Sequence, residues 1–252
     1  MLEEQKPLIS IIVPCFNEEE VLPIYIKEME SIIGGMKTAR VEIIFVDDGS
    51  TDGTAEMLRQ FHRRRQNYRY LSFSRNFGKE AAMYAGMQAA LGDYVAVMDA
   101  DLQDPPEYIP LMFQTLKKGE YDCVATRRED RKGEKRIRSF LSASFYKCIN
   151  RLSKVKIEEG ARDFRMMNRK MTDALLSLGE KNRFSKGLFG WVGFKTKWLP
   201  TTTWSGWPAM MCAIIFIGGV QLLCMGIMGQ YLARAYTEIK DRPIYILRSS
   251  SR

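Results

Sequence analysis

Residues 41–54 have the sequence VEIIFVDDGSTDGT, which passes from an apolar run to a polar turn and then to a helix start. The run at 41–46 is rich in β-branched side chains, which predicts a short buried strand. Asp48-Gly49 is a common turn pair, and Asp52 is placed to cap a helix that begins near Thr54. A strand followed directly by a helix is the unit that repeats in an α/β fold.

The same alternation extends in both directions from this stretch. Apolar runs predict strands at 8–13, 41–46, 68–73, 94–98 and 122–125. Amphipathic stretches predict helices at 19–33, 54–65, 79–91, 106–118 and 138–153. Together they predict a Rossmann-like α/β domain, in which a mostly parallel sheet is covered by helices on both faces.

The composition is that of a globular protein with an excess of basic residues. The chain has 252 residues, 46% apolar and 27% charged, which argues against disorder and against a many-span membrane protein. Its net charge of +8 indicates an anionic partner: a nucleic acid, a phosphorylated substrate or an anionic membrane surface. The five cysteines include no CxxC pair, which argues against a zinc site and fits a reducing compartment. Because the first residues show no signal-sequence pattern, we expect the main domain to lie in the cytoplasm.

An uncharged stretch, residues 198–233, follows the α/β pattern. Its apolar part, 208–232, is long enough at about 1.5 Å per residue to cross a hydrocarbon core of about 30 Å. We therefore expect a main domain at 1–200 and a membrane anchor with a short basic tail at 201–252. The alternative is a buried helix of a soluble domain. A basic tail after a single span conflicts with the preference of basic segments for the cytoplasm, and an even number of spans would resolve this conflict.

Polar residues follow the predicted strands, which is where ligands bind in doubly wound sheets. The first such loop, at 14–20, has neither a GxGxxG nor a P-loop pattern, which disfavours dinucleotide-dependent dehydrogenases and P-loop enzymes. Asp47 and Asp48 end the second strand, where they can bind a base or a ribose, or simply form the turn. Asp99 and Asp101 follow the fourth strand, and oxygen ligands at this spacing suit Mg²⁺ or Mn²⁺, with Gln103 as a neutral addition.

Four motifs resemble those of glycosyltransferase family 2 in order and spacing: PCFNE at 14–18, VDDGSTDGT at 46–54, RNFGKE at 75–80 and DADLQDPP at 99–106. Three further segments resemble the membrane-anchored polyprenyl-phosphate glycosyltransferases, relatives of dolichyl-phosphate mannose synthase: GARDFRMM at 160–167, GVQLL at 219–223 and DRPIY at 241–245. The resemblance covers almost the whole chain. It implies a GT-A fold, with a C-terminal transmembrane helix, and an inverting transfer of a hexose. The expected donor is UDP-glucose and the expected acceptor is undecaprenyl or another polyprenyl phosphate, at the cytoplasmic face of the bacterial inner membrane, for modification of cell-envelope glycans.

The resemblance also implies roles for individual residues. The nucleotide sugar would be bound by Pro14, Glu18, Asp47, Asp48, Asp99 and Asp101. Mg²⁺ or Mn²⁺ on the donor diphosphate would be held by Asp99, Asp101 and Gln103. The acceptor phosphate would be contacted by Arg127 and by one of Arg136 or Arg138. Asp163 would orient or deprotonate the acceptor, so that the expected catalytic residues are Asp101, Arg127 and Asp163. Two alternatives stay open: Asp163 forms a structural pair with Arg162 or Arg165, and Lys79 either meets an anion or lies at the surface.

The chain departs from the subgroup in one place. Family members carry interface helices and a first membrane crossing before the final span, whereas residues 198–204 here lead almost directly into it. Two hypotheses follow: a shortened but active transferase, or a non-catalytic membrane protein that scaffolds or regulates a full-length relative. The expected partners are a nucleotide sugar, a polyprenyl phosphate, the membrane and further copies of this chain, with a tetramer implied by the resemblance. Nucleic-acid binding is disfavoured because the basic residues have acidic neighbours and no RNA-binding motif is present. The identity of the sugar, and UDP against GDP, stay open.

Overall fold

The computed structural model describes residues 6–128, 160–178, 185–201 and 207–239. The chain divides into two units, Met1–Thr203 and Trp204–Arg252. Three sequence predictions lie outside the described residues: the helix at 138–153, the phosphate contacts of Arg136 and Arg138, and the basic tail from residue 240 onward.

The first unit contains a seven-stranded sheet in the order β3-β2-β1-β4-β6-β5-β7. The strands are β1 (Leu8–Cys15), β2 (Arg40–Asp47), β3 (Tyr68–Ser72), β4 (Tyr94–Val97), β5 (Cys123–Arg128), β6 (Ala161–Asn168) and β7 (Thr196–Thr201). The described helices of this unit are α1 (Leu22–Gly35), α2 (Thr54–Arg64), α3 (Lys79–Ala89), α4 (Tyr108–Lys117), α5 (Arg169–Leu176) and α6 (Ser185–Trp191). Only β6 runs against its neighbours, β4 and β5, so the predicted mostly parallel α/β sheet is confirmed.

Alternating side chains of the central strands build a core on each face of the sheet. On one face, Ile11 of β1 belongs to a buried cluster that includes residues of α1, α2 and α4. On the other face, its neighbour Ile12 belongs to a cluster that includes residues of α3, α5 and α6. Because successive side chains of a strand point to opposite faces, the continuous apolar run of β1 serves both clusters. The predicted coverage of both faces is therefore confirmed.

The structure differs from the predictions mainly in the last third of this unit. Strands β6 and β7 and helices α5 and α6 were not predicted. Charged residues interrupt β6 at 162, 163 and 165 and obscure its apolar signal, although Arg165 is buried with its guanidinium 3.6 Å from the centroid of the Phe189 ring. Residues 198–201 form the last part of β7, and residues 202–206 separate it from the next described helix. The predicted cap Asp52 accepts a hydrogen bond from Thr54 N at 3.0 Å, but the N-cap residue of α2 is Gly53.

The second unit contains one described helix, α7 (Trp207–Ile239), of 33 residues. At about 1.5 Å per residue it is about 50 Å long. Within it, Phe216–Ala233 has a mean hydropathy of 1.4, and none of this window is buried. By length and composition, α7 is the single helix among the described residues that could cross a membrane. This window lies almost entirely within the span predicted at 208–232.

Candidate active site

The order of the strands opens a crevice at the carboxyl end of β1. The chain adds β2 and β3 on one side of β1 and then crosses to place β4 on the other side. In doubly wound sheets, ligands bind at such a switch point, beyond the carboxyl ends of the strands. A cavity of about 350 Å³ lies there, lined by Pro14, Cys15, Phe16, Glu18, Asp48, Asn76, Gly78, Lys79, Asp99, Ala100 and Asp101. Its volume is in the range of small-ligand sites.

The loops after β1 and β2 are fastened to each other by hydrogen bonds. Asn17 takes a positive φ of 56°, its backbone N–H donates to Ser50 Oγ at 2.9 Å, and its Oδ1 accepts from Thr51 N at 2.9 Å. The next residue, Glu18, donates its backbone N–H to Thr54 Oγ1 at 2.8 Å. The two loops therefore form one rim, which places Glu18 at the edge of the cavity.

Asp47 and Asp48 have different surroundings. Asp47 is buried, and its carboxylate accepts from Ser50 N at 2.9 Å and from Ser72 Oγ at 2.7 Å. It thus holds the turn after β2, it is not among the residues that line the cavity, and its contact with the nucleotide stays a prediction. Asp48 does line the cavity, and its two carboxylate oxygens accept from Phe77 N at 2.7 Å and from Gly78 N at 2.9 Å. Asp48 therefore fixes the start of α3.

Asp99 and Asp163 meet across the ends of β4 and β6. Val97 of β4 pairs with Arg165 of β6, and continuing this antiparallel register sets Asp99 opposite Asp163. Lys79, the first residue of α3, lies between them: its Nζ is 2.8 Å from the carboxylate of Asp99 and 2.7 Å from Oδ2 of Asp163. Burial disfavours the charged ammonium, but the hydrogen bonds and charges of Asp163 and Asp99 outweigh it and raise the pKa of Lys79 above its ordinary value. Lys79 is thus part of the site.

The cavity has an acidic rim. The pKa of Glu18 is raised, first by partial burial and then by the negative charges of Asp101 and Asp99. Carboxylates that repel one another in this way are suited to a cation, and their oxygens are the ligands that Mg²⁺ and Mn²⁺ prefer. Among the described residues, no group of three or more His, Cys, Asp or Glu side chains is placed to hold a metal ion by itself.

Gln103 lies apart from the other predicted metal ligands. Its side chain is exposed and does not line the cavity, and its backbone N–H donates to Asp101 Oδ1 at 3.1 Å. The preceding residue, Leu102, has a positive φ of 55°, so the loop turns sharply after Asp101. Asp99 and Asp101 are therefore brought together at the cavity, whereas a metal contact by Gln103 stays a prediction.

Of the predicted acceptor residues, Arg127 is described, and it lies on β5 beside the strand that carries Asp163. Arg127 is exposed near the carboxyl end of β5, and it pairs in the ladder with Ala161 at the start of β6. Arg162 forms a salt bridge with Asp104 at 2.8 Å, and Arg165 donates to the carbonyl oxygens of Arg162 at 2.7 Å and of Asp163 at 3.3 Å. Arg165 thereby braces the backbone that precedes it, while the carboxylate of Asp163 is held by Lys79.

Comparison with known sequences identifies a family and similar relatives, all of them glycosyltransferases. The family described as glycosyl transferase family 2 matches residues 10–176. An uncharacterized glycosyltransferase of Synechocystis sp. is 34% identical over 301 aligned positions, which cover 95% of this chain and 94% of the relative. A bactoprenol glucosyl transferase of Shigella phage SfII is 33% identical over 306 positions, covering 97% of this chain and 98% of the relative. Because these alignments are longer than the 252 residues of the chain, the relatives contain segments without a counterpart here.

Comparison with solved structures shows the fold. A mannosyltransferase from Pyrobaculum calidifontis, in complex with GDP-Man and Mn²⁺, superposes with a TM-score of 0.52 at 18% identity, covering 78% of this chain and 56% of that chain. Glucosyl-3-phosphoglycerate synthase from Mycobacterium tuberculosis, in complex with UDP, gives 0.50 at 20% identity, covering 79% of this chain and 72% of that chain. Both share the arrangement of sheet and helices described above.

Proposed function

The chain belongs to glycosyl transferase family 2 and has the GT-A fold, and from this premise we propose that it transfers glucose from UDP-glucose to undecaprenyl phosphate at the cytoplasmic face of the bacterial inner membrane. The observation that supports this most is the convergence of Asp48, Asp99, Asp101 and the start of α3 on one cavity. The sugar and the acceptor are supported by the relative named bactoprenol glucosyl transferase.

The donor would occupy the cavity at the switch point. Pro14, Glu18 and Asp48 would border its nucleoside part, and Asp99 and Asp101 would hold Mg²⁺ or Mn²⁺. When bound, the divalent ion stabilises the negative charge that builds up as UDP departs. The N-terminus of α3, at Gly78 and Lys79, also lines the cavity, and its partial positive charge favours the same diphosphate.

The acceptor would approach from the side of β6 and β5. A lipid phosphate is already ionised near neutral pH, so it can attack the sugar without a strong base and needs positioning above all. Asp163, which faces Asp99 across the sheet edge, would orient the acceptor, and Arg127 would contact its phosphate with the help of Arg136 or Arg138. A single in-line displacement then inverts the anomeric carbon, as the family does.

Helix α7 would anchor the chain in the membrane that contains the acceptor. Large apolar side chains along it are exposed, among them Phe216, Leu222 and Leu223. A row of such side chains is costly in water and favourable in lipid. We assign the helix to the inner membrane, and the active site to its cytoplasmic face, because the proposed acceptor is undecaprenyl phosphate.

A second candidate function is supported by the lengths of the alignments. Because the relatives contain segments that this chain lacks, nucleotide-sugar binding can persist here without transfer to the lipid. The chain would then scaffold or regulate a full-length relative. The two functions predict the same donor binding and opposite results for lipid transfer.

The test uses the full chain, purified in detergent, with Mn²⁺, UDP-glucose and undecaprenyl phosphate. The wild type should release UDP and form glucosylated lipid, and Asp101→Ala should lower the rate by about 100-fold or more, the usual cost of removing a group that stabilises transition-state charge. Asp173→Ala is the matched control, because Asp173 is exposed on α5 and pairs only loosely with Arg169 at 3.7 Å.

Each result discriminates between the proposals. Equal rates for the wild type and Asp101→Ala would contradict the metal role. Binding of UDP-glucose without lipid product would favour the scaffold. GDP-mannose and UDP-N-acetylglucosamine in parallel reactions test the choice of donor.

A further inference from the structure

Lys79 occupies an unusual position for a lysine at the start of a helix. It lines the cavity, and its Nζ lies 2.8 Å from the carboxylate of Asp99 and 2.7 Å from Oδ2 of Asp163. The side chains of Lys79, Asp99 and Asp163 are 40%, 33% and 19% exposed, so the three charges meet in partly desolvated surroundings. Such a contact is stronger than a surface ion pair.

The conformation of the backbone before α3 positions the ammonium group of Lys79. Asp48 accepts the backbone N–H groups of Phe77 and Gly78, the two residues before Lys79. Gly78 takes a φ of +95°, a conformation that favours glycine and that turns the chain into α3 just before the lysine. The two carboxylates come from elsewhere in the chain: Asp99 follows β4, and Asp163 lies on β6, which pairs with β4.

The contact with Asp99 conflicts with binding of a divalent ion. Mg²⁺ binds carboxylate oxygens at about 2.0–2.1 Å. An ammonium group 2.8 Å from the same carboxylate would repel the ion and would occupy part of the lone pairs that the ion uses. Binding of the ion is therefore favoured when Lys79 leaves Asp99, and its flexible four-carbon stem allows this movement.

The donor offers the ammonium a new partner. Gly78 and Lys79 line the same cavity as Asp99 and Asp101. A diphosphate held there by the ion would lie within reach of Lys79, and its oxygens would replace the carboxylate of Asp99 as acceptors. The contact with Asp163 need not break, since the ammonium has three donors.

We propose that Lys79 and the divalent cation compete for Asp99, and that the diphosphate of the nucleotide sugar ends this competition by drawing the ammonium of Lys79 to itself. This inference rests on the proposed function, because it takes Asp99 as a metal ligand. Its consequence is coupled binding: nucleotide and cation each raise the affinity of the protein for the other. Lys79 thereby acts as a positioning residue that keeps the cation site closed to a cation that arrives without nucleotide.

The experiment measures Mn²⁺ binding directly, from the electron paramagnetic resonance signal of free Mn²⁺, with the full chain in detergent and with or without UDP. Without UDP, Lys79→Met should bind Mn²⁺ about tenfold more tightly than the wild type, since removing a partly exposed competing charge changes an affinity by this order. With UDP, the affinity of the wild type for Mn²⁺ should rise by a larger factor than that of Lys79→Met. Lys79→Arg, which keeps the charge, should resemble the wild type, and so should Lys27→Met, a control at an exposed position on α1.

Failure of the inference and failure of the proposed function give different results. If folded Lys79→Met, judged by its unfolding midpoint and circular dichroism, binds Mn²⁺ without UDP no more tightly than the wild type, the competition is overturned. If the wild type binds no Mn²⁺ even with UDP, or if Asp99→Asn binds it equally well, the cation site itself is wrong and the proposed function fails with it.

Discussion

A single glycine sets the distance between two of the loops that border the cavity. Gly49 has a φ of +71°, and a Cβ atom at this position would lie 2.3 Å from the carbonyl carbon of Arg75 and 2.7 Å from the backbone N of Asn76. Backbone atoms cannot yield to such a contact as a flexible side chain can. Gly34 near the end of α1 is different, because a Cβ added there would meet nothing within 4 Å.

These two glycines give a matched pair of substitutions. Gly49→Ala should lower the free energy of unfolding by about 2 kcal/mol or more, through left-handed strain and the clash with Arg75, and should weaken UDP binding. Gly34→Ala should raise the free energy of unfolding by about 0.5 kcal/mol, because alanine is the better helix former. The measurement is the thermal unfolding midpoint in detergent, with UDP binding by calorimetry. A Gly49→Ala protein as stable as Gly34→Ala would show that the two loops are not in contact.

At the scale of elements, the start of α3 is positioned by a side chain from the preceding βα unit. Asp48 directly follows β2, yet both of its carboxylate oxygens accept backbone N–H groups from the loop that leads into α3. Gly78, at the end of this loop, and Lys79, the first residue of α3, line the cavity. Asp48 therefore lines the cavity itself and also positions two other residues that line it, Gly78 and Lys79.

Asp48→Asn tests this positioning role. An amide has one carbonyl oxygen, and its NH₂ group faces a backbone donor, so one buried hydrogen bond is lost and the free energy of unfolding should fall by about 1–3 kcal/mol. The affinity for UDP with Mn²⁺ should fall as well, because Lys79 moves with the loop. Asp173→Asn, at an exposed site on α5, should change neither quantity. Loss of UDP affinity with an unchanged unfolding midpoint would indicate that Asp48 acts only as a ligand contact.

Sequence patterns predicted the elements whose signals are local. The apolar runs of β1 and β2 and the acidic residues that follow β4 stand out in any short window, because strand burial on both faces leaves few polar residues. Strand β6 was missed because Arg162, Asp163 and Arg165 interrupt its apolar residues, and their partners come from elsewhere in the chain. Likewise, the contact of Lys79 with Asp163 depends on the order of the strands, since 84 positions of the chain separate the two residues.

At the scale of the whole molecule, the two units differ in the exposure of their apolar side chains. The first buries its apolar side chains in two clusters, one on each face of the sheet. The second exposes them along α7, where Phe216, Leu222 and Tyr231 are each more than half exposed. A helix of this kind has no stabilising environment in water, whereas lipid supplies one.

Removal of residues 204–252 should abolish membrane association and leave UDP binding intact. The shortened protein should stay in the supernatant after membranes are sedimented and should bind UDP with Mn²⁺ as the full chain does, because the residues that line the cavity lie between positions 14 and 101. It should no longer glucosylate undecaprenyl phosphate in vesicles. Sedimentation of the shortened protein with the membranes would reveal a further lipid-binding surface in the first unit.

The pairing of Arg127 with Ala161 has an evolutionary consequence. The chain leaves the sheet after β5 and returns to it on the adjacent strand, so residues 129–159 are joined to the sheet at two neighbouring points. Because the ladder of β5 and β6 holds these two chain ends side by side, an insertion or deletion between them leaves the register of the two strands unchanged. Selection could thus diversify this stretch among descendants of one ancestor while the cavity at the carboxyl end of β1 is inherited intact.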